Sequence, residues 1–136
     1  MIKSVNEHYQ AIIDKDLKGI LTKYFPSEET YVILEGPRLT TLGFEKIKKG
    51  WTDFCASSIR LCSIQWTEGP LQQETRSMGW VAGIIQLKVD INGHQFENTF
   101  RATFVLVRHR SQWKIRHEHV SGVLADPYGV GDWLKK

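Results

Sequence analysis

Lys88-Val89-Asp90-Ile91-Asn92-Gly93-His94-Gln95-Phe96-Glu97 is the stretch on which the fold turns. Asn-Gly between two β-rich runs is the strongest short hairpin signal, because both central residues of a type I′ turn need positive φ. Pairing outward from it sets Asp90 against Gln95 and Lys88 against Glu97, an opposite-charge cross-strand pair that supports the register. The paired runs extend from Met78 to Ile91 and from Gln95 to His109. A second hairpin closes over His109 to Gln112 and opens a last strand, Trp113 to Leu124. With strict alternation it sets Arg108 opposite Trp113, Leu106 opposite Ile115, Phe104 opposite His117 and Ala102 opposite His119. Upstream, Ile59 to Thr67 is a further strand, ended by a turn at Gly69-Pro70.

The front of the chain has a different period. Val5, Tyr9, Ile12, Leu17, Ile20 and Tyr24 recur at the steps of helices with one buried face. Asp14-Lys15-Asp16 interrupts them, and Asp16 has the position of an N-cap opening a second, short helix. Tyr31 to Glu35 forms a strand closed by Gly36-Pro37. Gly43 then leads a third amphipathic helix, with Phe44, Ile47, Trp51, Phe54 and Cys55 on one side and lysines on the other. Helices come first and an antiparallel meander second, so the fold class is α+β.

At 136 residues the chain has room for one core. Its hydrophobic and charged fractions, 41% and 24%, are those of a folded globular protein rather than a disordered one. Eighteen basic residues against fifteen acidic ones give +3, and the basic residues are scattered, which argues against nucleic acid as a partner. No run approaches the ~18 apolar residues of a membrane span, and the start lacks the apolar stretch of a secretory signal. A cytoplasmic protein without membrane contact is expected. Cys55 and Cys62 are too few for a disulfide framework and wrongly spaced for a redox or zinc motif.

Alternation gives the sheet two faces. One carries Phe100, Ala102, Phe104, Leu106, Ile115, His117 and His119, apolar at one end and polar at the other. The opposite face, with Trp80, Ala82, Ile84, Thr103, Val105 and Val107, is too apolar for open water. Three short helices can cover only one side of such a sheet, so the second is expected to pair with another copy in a homodimer.

This order of elements, closing in Trp113-Lys114-Ile115-Arg116-His117-Glu118-His119-Val120-Ser121-Gly122, resembles a SnoaL-like domain of the nuclear transport factor 2-like superfamily. The resemblance spans residues 1–124 as a single domain, leaving 125–136 as a C-terminal tail. The closing strand is similar also to that of the calcium/calmodulin-dependent kinase association domain. The resemblance implies a cone in which three N-terminal helices and a strongly curved antiparallel sheet enclose a pocket, while the convex sheet face forms a dimer. Its activities include isomerases, dehydratases and cyclases beside pure binding modules, so fold alone does not name the function.

The residues expected to line the cone carry the chemistry. His117 and His119, two apart on one strand, share a face and are candidates for proton transfer. As metal ligands the two are weak evidence without a placed carboxylate, and no Gly-rich phosphate loop or nucleophile elbow occurs, so neither metal nor cofactor is expected. Glu35, at the end of the first strand, is the candidate inward carboxylate and general base. Ketosteroid isomerases, by the same resemblance, place their base just before a proline after this strand. Here Gly36 holds that position, one residue beyond Glu35, which argues against that particular isomerisation. Trp51, Trp66, Phe100 and Phe104 form an expected aromatic wall for a small apolar or aromatic ligand, with Asn98 as a polar handle. Tyr128 and Trp133 are candidate anchors of a tail folded over the pocket mouth. The reading is a small-molecule pocket protein, capable of cofactor-independent acid–base catalysis; the alternative is a homodimerising or ligand-sensing module without turnover.

Overall fold

A computed structural model describes residues 1–131 of the chain. Helix α1 (Ile2–Ile13) buries Val5, His8, Tyr9 and Ile12 on one side. It stops at Asp14, and Lys15 takes a positive φ of 52° that turns the chain into α2 (Leu17–Thr22). Asp16 caps α2, its carboxylate accepting the Gly19 N–H at 3.1 Å. Next come β1 (Tyr31–Ile33), β2 (Thr41–Leu42), α3 (Phe44–Ala56) and four long strands, β3 (Ile59–Glu74), β4 (Met78–Ile91), β5 (His94–His109) and β6 (Gln112–Ser121). They form one six-stranded sheet in the order β2-β1-β6-β5-β4-β3. Every pairing is antiparallel except the short parallel contact of β1 with β6. The three helices pack on one sheet face, where Val81, Ile85, Phe104, Leu106 and Ile115 are buried. Each such side chain contributes roughly 1.5–3 kcal/mol by leaving water. Among the described residues no helix is long and apolar enough to cross a membrane.

The β4–β5 hairpin has the expected register. Asn92 and Gly93 hold φ of 53° and 86°, Asp90 faces Gln95, and Lys88 faces Glu97 with 3.9 Å between Nζ and Oε1. The turn expected at Gly69-Pro70 is not a turn. β3 runs through it to Glu74, with the ladder slipping between Trp66 and Leu71. Proline lacks the N–H a ladder needs, and Gly69 at φ +80° takes up the irregularity as a bulge. Opposite, Gly83 has no side chain because the Trp66 ring and the Glu68 carbonyl occupy the space a Cβ would need. β2 is two residues long, too short to leave a periodic trace.

The β5–β6 hairpin departs from strict alternation. Arg108 faces Trp113 and Leu106 faces Ile115, but then the ladder slips by one, so that Val105 faces His117, Phe104 faces Glu118 and Ala102 faces Val120. Arg116 is the extra residue of a β-bulge, and beyond it every side chain changes face. Glu118 and Val120 point into the core, while His117 and His119 lie on the convex face. The bulge sits where β6 exchanges edge partners. Ile115 pairs with the chain after α2, through Lys23 and Phe25 backbone hydrogen bonds, whereas His117 pairs with Tyr31 of β1. Arg116, set between these two partners, reaches Glu29 at 3.1 Å and lies over the Phe25 ring.

Candidate functional site

A cavity of about 500 Å³ opens between α3, the loop after β1 and the concave side of β4 and β5 near their shared turn. Val32, Ile47, Trp51, Leu87, Val89 and Phe100 give it an apolar wall. The polar groups are Glu35 after β1, Asn98 from β5, Arg38, Thr40 and Thr41 from the loop and β2, and Lys46 and Asp53 from α3. Glu35 keeps one side open to solvent, yet the surrounding protein removes enough hydration to push its carboxyl up to about 6, against the opposing pull of its own backbone N–H.

Behind Trp51 lies a buried polar chain. The Trp51 indole Nε1–H donates to Tyr24 Oη at 3.1 Å, and Tyr24 Oη donates to Glu118 Oε1 at 2.6 Å. Loss of hydration pushes the Glu118 carboxyl up to about 8; the Tyr24 hydrogen bond pulls it down and the charge of Glu35 pushes it further up. Glu118 is therefore mostly protonated at neutral pH. The same burial carries the Tyr24 phenol well above its usual range. His8, fully buried, sits edge-on to Tyr24, Trp51 and Phe104, with ring centroids 5.1, 6.0 and 6.4 Å away. Neither of its nitrogens makes a well-formed hydrogen bond, although the Ile20 backbone lies close enough to oppose part of the effect of burial. Burial lowers its pKa to about 3, so the ring is neutral. The Tyr9 hydroxyl is likewise buried with no partner among the described residues, its ring near those of Trp66 and Phe104.

The SnoaL-like domain family matches residues 2–126 of the sequence. The chain belongs to this family. Solved structures agree at the level of fold. A nuclear transport factor 2-like protein from Salmonella enterica is 19% identical, with a TM-score of 0.80 over 95% of this chain and 92% of its own. A ketosteroid isomerase-like protein from Erwinia carotovora is 10% identical, with a TM-score of 0.74 over 90% and 92%. A protein titled as a putative calcium/calmodulin-dependent protein kinase II association domain, from Xanthomonas campestris, is 15% identical, with a TM-score of 0.69 over 88% and 82%. No curated protein matches the chain in sequence.

Within this SnoaL-like cone the expected site residues part company. Glu35, Trp51, Asn98 and Phe100 meet at the cavity. Trp66 lies outside it, donating its indole N–H to Asn6 Oδ1 at 3.0 Å. Phe104 is fully buried in the core rather than on the cavity wall. His117 and His119 are excluded by the bulge. His117 stacks on Tyr31 with its Nδ1 2.8 Å from the Tyr31 carbonyl, and His119 is exposed. Among the described residues no three His, Cys, Asp or Glu side chains are grouped to hold a metal ion. Tyr128 is largely exposed, and Trp133 lies outside the described residues.

Tyr24, Glu118 and His8 are the residues that sequence reading missed. One signal pointed to Glu118. Ile115 and Val120 are five apart, an odd spacing, so both can face one core only if an extra residue intervenes, and that same step turns Glu118 inward.

Proposed function

We propose that this SnoaL-like domain binds a small, largely apolar molecule in its cavity and exchanges a proton with it, Glu35 being the exchanging group. The observation that carries the reading is the pairing of an apolar hollow with a single carboxyl raised to about 6 at its edge. Isomerisation, dehydration and ring closure all need a group that both takes and returns a proton near neutral pH, and a raised carboxyl suits that task. Trp51 presents an apolar face to the ligand because its one donor is committed to Tyr24. Asn98 supplies the neutral hydrogen-bonding group for orientation. Glu118 does not line the cavity, so its part is to hold Tyr24 and Trp51 in place.

A second copy on the convex face belongs to the same reading. Leu71, Met78 and Trp80 leave apolar surface there, beside Ile84 and Val105 of the same face. Pairing through it leaves the cavity on the concave side free.

The test uses 1-tetralone, a bicyclic aromatic ketone, as probe. Saturable shifts of the Trp51 and Phe100 amide resonances are expected, together with deuterium exchange next to the carbonyl faster than in buffer. Glu35→Gln should keep binding within about twofold and slow exchange roughly 100-fold or more. Absence of binding overturns the reading. Binding with exchange untouched by Glu35→Gln establishes the sensing module in its place.

A further inference from the structure

We propose that a second hollow, at the opposite end of β5, binds a small amphipathic anion, a molecule with an apolar body and one terminal carboxylate or phosphate. The site is independent of the cavity and of Glu35. It is a groove of about 590 Å³ between α2, the start of α3 and the β5–β6 turn. Leu17, Leu21, Pro26 and Phe44 supply its apolar surface.

Its charges have one sign. Lys18, Arg110 and Lys114 line the groove and no acidic side chain does. Lys18 and Arg110 are exposed and carry no ion pair among the described residues. The Lys114 ammonium, half-buried, is held among the described residues only by the Thr22 carbonyl. Nearby Lys23 is already neutralised by Glu7 at 2.8 Å. Loss of hydration, and to a lesser extent the proximity of Lys23, lowers the pKa of Lys114.

An occupant is defined by what would satisfy both parts. An inorganic anion would meet the cations and leave Leu17, Leu21 and Phe44 wet; a neutral apolar molecule would cover those and leave the cations of the groove without a counter-charge. Only an amphiphile with an anionic end does both. Charge complementarity of this kind raises the local concentration of such a ligand and weakens with salt.

Decanoate, below its micellar concentration, is the probe, with decanol and acetate as matched halves. In low salt, decanoate is expected to shift the amide resonances of Leu21, Thr22, Arg110 and Gln112 saturably, and to bind at least about threefold more tightly than either half. Lys18→Gln combined with Arg110→Gln should weaken decanoate by about threefold or more and leave decanol unchanged. Both side chains are exposed, so the variant's amide dispersion should match that of the parent. Three results would overturn the proposal: decanoate shifts confined to Trp51 and Phe100 in the other cavity, decanol binding as tightly as decanoate, or a double variant that binds decanoate as the parent does.

Discussion

The β4–β5 and β5–β6 hairpins share a strand and differ in one respect. From Met78 to Ile91 the first ladder runs without a slip, whereas the second loses register once, at Arg116. β4 keeps β3 on one side and β5 on the other through this region. β6 has no such constancy, since its outer neighbour changes from the segment after α2 to β1 within two residues. Bulges gather where a strand changes partner or lies at an edge, and β3, at the sheet's other edge, slips too. In a ladder of period two, one such residue decides which side chains meet the ligand and which meet water.

The comparison can be broken by deleting single residues. Removing Arg101 from the regular ladder reverses the faces of one arm of β5, and a handful of misplaced core side chains at ~1.5–3 kcal/mol each matches the whole stability of a domain, ~5–15 kcal/mol. No cooperative unfolding transition should remain. Removing Arg116 instead restores strict alternation with Glu118 still inward and the histidines still outward. The loss should be about 1–2 kcal/mol, from the Glu29 ion pair and the Phe25 contact. Equal damage from the two deletions, in urea denaturation, would mean that the bulge is not what sets the faces.

A smaller effect sharpens the chemistry of the inward side. The folded-state pKa of Glu118 is raised from 4.5 to about 8, so the folded protein holds a proton that the unfolded chain releases. Its contribution is complete below pH ~4.5 and is lost as pH rises through 8. Glu118 alone should remove up to about 5 kcal/mol of stability across that window, with His8 offsetting part of the fall below pH 6.5. Glu118→Gln, which keeps an oxygen for Tyr24 and cannot ionise, should abolish the fall above pH 6.5, leaving at lower pH the Glu35 fall between 4.5 and about 6 set against the rise from His8, which is neutral when folded and protonated when unfolded up to pH 6.5. Parallel profiles for parent and variant would contradict the buried, protonated state. The smallest effect belongs to the outward side. His119→Ala should change stability by no more than ~0.5 kcal/mol and leave tetralone exchange unaltered, because the ring is exposed on the convex face.

The elements were legible where local chemistry decides them. Asn92-Gly93 set the β4–β5 register, Asp16 marked the start of α2, and Gly43 stood before α3. Half of the candidate site was legible too, since Glu35 stands just after a β-rich run and Trp51 lies on the apolar side of a helix. What escaped depends on contacts distant in sequence. The bulge answers to a change of partner between Ile115 and His117; the odd spacing of Ile115 and Val120 calls for an extra residue, but nothing local in residues 112–121 says where it falls. Tyr24 looked like one more apolar residue of a helical face, and only its meeting with Glu118, 94 positions away, reveals its hydroxyl as part of a polar chain. The Gly69-Pro70 pair misled for the opposite reason, as two strong turn residues overruled by the length of the ladder they interrupt.

Trp51, Tyr24 and Glu118 belong to α3, the segment after α2 and β6, so two hydrogen bonds rivet three separate parts of the chain together. The loop from Gly36 to Thr40, which borders the cavity, takes no part in that fastening. Substitutions there can accumulate without loosening the scaffold, which leaves this loop as the stretch through which descendants of the chain can drift toward new ligands.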